Sequence, residues 1–136
     1  MIRRICFISI VIIFLHNCNH VSQKDKTNLC FIKRKVKNVE KISFENIMTA
    51  DTINYIEIDG YFHFLFEDVG VYPSKNSNSP DALSLDFDSS FDSHVKELQN
   101  LSGKFVSITG VLGNANGLYK NVYNKTLYQV ICIKEK

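Results

Sequence analysis

Tyr55-Ile56-Glu57-Ile58-Asp59-Gly60 and, fifty residues further on, Phe105-Val106-Ser107-Ile108-Thr109-Gly110 are two versions of one pattern. In both, aliphatic side chains at the second and fourth places share one face, the period of two that marks a half-buried strand. Both end in glycine. A glycine inside a strand weakens it unless the backbone must bend sharply there, and small barrels need such bends where a strand crosses from one layer to another. Beyond Gly60 both faces turn apolar (Tyr61, Phe62, Phe64, Leu65, Phe66), as a strand shared between two layers would. A few residues on, Gly70-Val71-Tyr72 is echoed by Gly117-Leu118-Tyr119.

Outward from this pair, the strand signal continues. Ile53 to Phe66 is dense in β-branched and aromatic residues, and Ala82 to Phe87 alternates with Leu83, Leu85 and Phe87 on one face. Lys104 to Leu112 and Leu127 to Ile133 read the same way. Residues 73–80 form a Ser/Asn-rich loop and 113–117 a turn by composition. Between Phe87 and Lys104, Phe91, Val95 and Leu98 recur at helical spacing with Leu101 beside them. Ser90 or Asp92 is placed to cap the start of this helix and Gly103 to end it. A shorter helix is expected around Phe44, Ile47 and Met48, with Ser43 as its N-cap. Two long bent strands, a third strand, a plugging helix and two further strands are the order of the oligonucleotide/oligosaccharide-binding (OB) fold. The expected class is therefore mainly β: a small Greek-key barrel over residues 42–136 with one short helix between its third and fourth strands.

At Tyr55 to Lys75 (YIEIDGYFHFLFEDVGVYPSK) and at Leu101 to Val111 (LSGKFVSITGV) the chain also resembles small, mostly uncharacterised bacterial envelope lipoproteins with an OB-like domain. The resemblance spans roughly residues 42–134. It implies the fold and an envelope address, and it carries no activity across.

The amino end is read independently of that resemblance. Met1-Ile2-Arg3-Arg4 is a basic start, and Ile5 to Leu15 is apolar but too short for the ~20 residues of a membrane-spanning helix. This is the layout of a signal peptide, placed over residues 1–17. Ordinary cleavage needs a pair of small residues that the segment after Leu15 lacks. Leu15-His16-Asn17-Cys18 instead resembles a bacterial lipobox, although Asn17 stands where a smaller residue is usual, and Cys18 is the expected lipid-attachment site. Several palmitate-type acyl chains on one cysteine give stable anchoring, whereas one chain is marginal. The alternative is cleavage nearby that leaves Cys18 an ordinary thiol. Residues 18–41 then form a lipid-anchored tether, with a first edge strand over Leu29 to Val36. The expected location is the cell envelope, on a bacterial membrane and facing the periplasm or exterior.

Removing Arg3 and Arg4 with the signal leaves 14 basic against 14 acidic side chains. The apparent basicity belongs to the targeting segment, and a nucleic-acid partner loses its electrostatic support. Residues 24–41 are basic, whereas residues 45–97 carry eleven acids against Lys75 and Lys96. Of the four cysteines, Cys6 leaves with the signal and Cys18 takes the lipid. Cys30 and Cys132 remain, and in an oxidising compartment they are expected to pair; two buried free thiols are the alternative.

No reactive constellation is found. Asp92, Ser93 and His94 have the residue types of a hydrolase triad, but neighbours on a helix point ~100° apart and do not converge. Ser93 to Lys96 spells S-x-x-K without its companion motifs. Asp86, Asp88 and Asp92 lack the third position and the glycine of a calcium loop. His16, His20, His63 and His94 give no ligand spacing, and His63 reads as a barrel-wall residue. No catalytic residue, metal or cofactor is expected. The expected function is a non-catalytic binding module for a protein or glycan partner. Its alternatives are an immunity or inhibitor protein against a toxin or hydrolase and, least favoured, a small hydrolase.

Overall fold

The two echoed segments lie side by side. The structure, a computed structural model, describes residues 25–31, 36, 38–50, 54–76 and 79–136. The expected signal peptide, Cys18 and residues 32–35 of the expected first strand lie outside these. Along the chain come β1 (Asn28–Cys30), β2 (Glu40–Lys41), α1 (Phe44–Ile47), β3 (Tyr55–Leu65), β4 (Asp68–Tyr72), β5 (Leu83–Phe87), α2 (Val95–Leu101), β6 (Phe105–Asn114) and β7 (Lys125–Glu135). Short 3-10 segments cover Ser79–Asp81, Ser89–His94 and Gly117–Asn121.

β3 and β6 are antiparallel, with Ile58 opposite Ile108, Ile56 opposite Gly110 and Gly60 opposite Val106. The sequence echo is therefore a local two-fold: each copy's glycine faces an aliphatic residue of the other. β3 then changes partner, pairing β6 over Tyr55–Tyr61 and β4 over Tyr61–Leu65. β4 pairs β5, β5 runs parallel to β7, and β7 returns antiparallel to β6. The ring β3-β4-β5-β7-β6 closes on itself with no free edge, the five-stranded OB-like Greek-key barrel.

The glycines stand where closure brings backbones together. A Cβ on Gly60 would lie 2.6 Å from the Tyr72 carbonyl oxygen and 2.6 Å from Val71 Cγ2. One on Gly110 would lie 2.8 Å from Leu127 Cγ and 2.9 Å from the Tyr128 carbonyl. Gly110 also marks a bulge. The β6–β7 register slips between Thr109 and Val111, whose partners are Cys132 and Tyr128. The slack on β7 is taken up at Gln129, which adopts φ +47°.

Alternate residues of the strands fill the barrel: Ile56, Ile58 and Phe62 from β3, Leu83 and Leu85 from β5, Val106, Ile108 and Leu112 from β6. Phe91, Leu98 and Leu101 plug one end. Val95, expected on the buried stripe, is instead 43% exposed. The first turns are 3-10 rather than α, and three residues per turn carry Phe91 onto His94 instead of Val95. The cap differs as well: the Asp88 carboxylate, not Ser90 or Asp92, accepts a hydrogen bond from the Ser90 N–H at 2.9 Å. At the other end Gly103, at φ +82°, follows the helix as expected. Its N–H donates to the Phe62 carbonyl at 2.7 Å, and the Phe64 N–H donates to the Ser102 hydroxyl at 3.0 Å, so the plug is stitched to β3.

The fold reaches further toward the amino end than residue 42. β1 pairs with β7 beyond the point where β5 stops, with Cys30 directly opposite Cys132, and the two sulfurs are bonded. The bridge spans 102 residues; restricting so long a loop in the unfolded chain contributes up to ~4–5 kcal/mol in the loop-entropy account. Phe31 continues the strand onto the plug, its ring edge-on to Phe91 at 4.8 Å. β2 adds to β3 in parallel. Beside it, Asp59 takes Lys41 at 2.8 Å and Lys136 at 3.4 Å. At α1, Ile47 is buried as its spacing requires, but Met48 is exposed and the Ser43 hydroxyl makes no cap bond.

Two substitutions separate crowding from backbone conformation. Gly60→Ala forces a methyl into the β4 backbone and is expected to cost at least ~3 kcal/mol, the scale of overpacking at its upper end. Gly117→Ala, at φ +60° with open space around it, is expected to cost only ~1–2 kcal/mol. Urea unfolding of both variants checks the order; equal losses would remove the close approach as the reason for Gly60.

Candidate functional site

β4 puts Val71 into the core and turns Asp68, Gly70 and Tyr72 outward. This outer face, with β5, is the one OB barrels offer to ligands, flanked by the β3–β4 and β6–β7 connections. Here the β6–β7 connection lays Tyr123 across it. Asp68 Oδ1 accepts hydrogen bonds from the Tyr72 hydroxyl, at 2.5 Å, and from the Tyr123 hydroxyl. Asp68 Oδ2 lies 3.3 Å from His63 Nδ1. The His63 ring covers that of Tyr72, their centroids 4.4 Å apart. Gly70 leaves the space: a Cβ there would stand 3.3 Å from the Tyr123 oxygen. Tyr72 and Tyr123 are both buried, and burying a phenol is tolerated only when its hydroxyl is bonded.

The electrostatics follow from these contacts. Burial, and then the hydrogen bonds to Asp68 and Tyr72, push the Tyr123 phenol far above its ordinary range. For Asp68 burial acts to raise the carboxyl, but the hydrogen bonds from Tyr123, Tyr72 and His63 outweigh it and hold the group below its usual value. A phenol locked neutral and a carboxylate fully engaged make a clasp: they hold a loop against a sheet. Below them, the Ser84 and Thr126 hydroxyls pair across β5 and β7 at 2.5 Å.

A second feature is an open groove of about 320 Å³ between α1, Pro73, residues 80–83 and Asn124. Its floor is apolar, with Phe44, Ile47, Ala82 and Leu83, and Met48, Pro73 and Pro80 stand around it. Glu45 and Asp81 supply its only charges among the described residues. Asn124 Nδ2 donates to the Pro80 carbonyl at 3.2 Å, tying the β6–β7 connection to the groove wall.

The residues weighed for catalysis are not brought together. Asp92, Ser93 and His94 follow one another on the 3-10 segment, ~120° apart in direction. His94 Nδ1 sits 3.4 Å from Glu97 Oε1, with the imidazole against Phe31. Asp86 is exposed and Asp88 caps the helical segment. Among the described residues no group of three His, Cys, Asp or Glu side chains is arranged for a metal. His63 lies on the barrel wall, but its carboxylate partner was not readable. The clasp joins Asp68 to a tyrosine 55 residues away, and the only local hint was glycine two residues before Tyr72. The groove draws on three distant segments, none with a motif. Comparison with protein-family models, curated proteins and solved structures finds no match.

The clasp has a measurable titration. Folding favours neutral Tyr123, so its contribution to stability is present below the ordinary phenol value of 10.0 and is lost as pH rises through the elevated folded value. Asp68 has the opposite sign: its contribution is present above the ordinary 3.8 and is lost as pH falls through the lowered folded value. Alkaline difference absorbance of the folded protein should therefore fall at least one tyrosine short until the chain unfolds. Tyr123→Phe should reduce that shortfall by one tyrosine. A folded protein that titrates the same shortfall after Tyr123→Phe refutes the clasp.

Proposed function

We propose that the protein is an exported, lipid-anchored envelope protein of bacterial type whose barrel binds a partner protein without catalysis. The groove beside α1 carries the reading. It couples an apolar floor to two carboxylates, the arrangement that receives an apolar side chain flanked by basic residues. Apart from Phe44 and Asn124, its lining residues also belong to the acidic stretch over residues 45–97. The β4–β5 face, by contrast, is filled by the protein's own Tyr123, which leaves less of it for a strand of nucleic acid or a glycan. A basic toxin or hydrolase neutralised at the envelope is the special case that the acidic rim favours, as an immunity protein would require. The export reading rests on the basic start, the apolar run and the lipobox-like Leu15 to Cys18, and it agrees with a disulfide between Cys30 and Cys132.

Two experiments test the two halves. Cys18→Ser is expected to move the protein from the membrane to the soluble periplasmic fraction and to abolish labelling by a fatty-acid probe. A wild-type chain that takes no label refutes the anchor. For the groove, Asp81→Lys combined with Met48→Lys exchanges exposed groups only and should leave the melting temperature within a few degrees. It should lower recovery of the partner in a crosslinked envelope pull-down by ~10-fold or more, the scale of one lost interface anchor. Undiminished recovery would exclude the groove.

A further inference from the structure

Among the described residues, the exposed large hydrophobic side chains are unevenly placed. Leu65 (59% exposed), Phe66 (100%), Val95 (43%) and Phe105 (40%) gather at one end of the barrel. The pairing directions define that end. β3 finishes there at Leu65, β4 starts at Asp68, β5 finishes at Phe87, β6 starts at Phe105 and β7 finishes at Glu135. Leu65 and Phe66 form the tip of the β3–β4 hairpin, whose turn is Phe66-Glu67. An apolar pair at the tip of a tight turn gains nothing from the fold; a wholly exposed phenylalanine has no intramolecular contact to account for it.

The amino-terminal chain departs from the same end. The Thr27 carbonyl accepts a hydrogen bond from the Glu135 N–H at 2.9 Å, beside the start of β6, where the Lys136 N–H donates to the Phe105 carbonyl at 3.1 Å. Eight residues lie between Cys18 and Thr27, and the nine steps that join them span at most ~30 Å when fully extended. An anchor on Cys18 therefore holds this end, with its apolar tip, within reach of the bilayer. The geometry points to a membrane-docking device: the Leu65-Phe66 tip, with Phe105 and Val95 behind it, dips into the lipid interface and orients the barrel so that the groove faces away. This rests on the lipid-anchor reading above.

The chemistry of the surface fixes what kind of lipid contact this is. Among the described residues, Lys26, Lys96, Lys134 and Lys136 are exposed at this end, and so are Asp25, Glu67, Asp86 and Asp92, so the described surface around the tip carries no net positive field to draw it to anionic headgroups. The contact made by the tip itself is apolar, insensitive to salt and indifferent to headgroup charge, unlike polybasic attachment. Two apolar side chains at a hairpin tip bind too weakly alone. Attached to an anchor, they act at a high local concentration and need only bias orientation.

The chain contains no tryptophan, so Phe66→Trp introduces a single reporter at a position where size is unconstrained. Val122→Trp, in the β6–β7 connection at the opposite end and 45% exposed, is its counterpart. The full lipidated protein carrying either change is reconstituted into phosphatidylcholine vesicles with brominated acyl chains, after fatty-acid labelling and flotation establish that it is anchored. Emission from the Phe66→Trp protein is expected to shift to the blue and to fall about twofold, as for a side chain 5–10 Å into the interface, equally in low and high salt. Emission from the Val122→Trp protein should be unaffected. An anchored Phe66→Trp protein that is unquenched overturns the docking and leaves the anchor standing; the tip is then free for a protein partner. Equal quenching of both reporters overturns the orientation. A chain that takes no fatty acid and does not float overturns the anchor and the docking together. The Cys18→Ser form of the Phe66→Trp protein should stay in solution; if it binds these vesicles unaided, the tip does not depend on the anchor as argued.

Discussion

Everything in this fold depends on two places where backbones meet with no side chain between them. A five-stranded ring closes only if its longest strands bend tightly enough to serve two neighbours each. β3 does so at Gly60, against the carbonyl of Tyr72 on β4, and β6 does so at Gly110, against Leu127 and Tyr128 on β7. Hydrophobic burial rewards closure, since Ile56, Ile58, Val106 and Ile108 reach the core only once the ring is shut. It cannot achieve closure if a methyl group blocks the approach. The two glycines face the same β3–β6 ladder from opposite strands, so one local symmetry sets the shape of the whole barrel.

That symmetry is why so much of the architecture could be read from the chain. Alternation over β3, β5 and β6 is a direct image of which side chains enter the core, and closure leaves its trace as glycine at matching places in the echo. Reading failed where geometry departed from the standard period. Val95 matches an α-helical stripe, yet a 3-10 start rotates it outward, and the N-cap moves back to Asp88. The bulge at Gln129, with its left-handed backbone, leaves no mark in a glutamine.

The clasp and the groove were less legible, for a different reason. Asp68, Tyr72 and Tyr123 look like an ordinary turn residue and two ordinary aromatics until the barrel sets them together. Their meeting converts the face that OB barrels keep for ligands into an internal contact, with the β6–β7 connection as its cover. The open groove lies elsewhere, at the rim by α1, where Ile47 and Leu83 line it together with Glu45 and Asp81. A small scaffold can thus retain a barrel's architecture while covering its usual ligand face, because the packing demands of the interior are indifferent to what covers the outside.

The bridge between β1 and β7 has a mechanical meaning. A pull on the chain ahead of Thr27 enters the structure three residues before Cys30. The covalent link passes it at once to Cys132, in the strand shared by β5 and β6. The three-residue β1 ladder is thereby relieved of load it could not bear for long, since hydrogen bonds yield one after another when a strand is peeled from its end. The force is delivered along β7 instead, where its ladders with both neighbours must shear together. A domain under tension at its amino end gains from such a path: the pull tightens against the sturdiest strand of the barrel instead of unravelling the weakest.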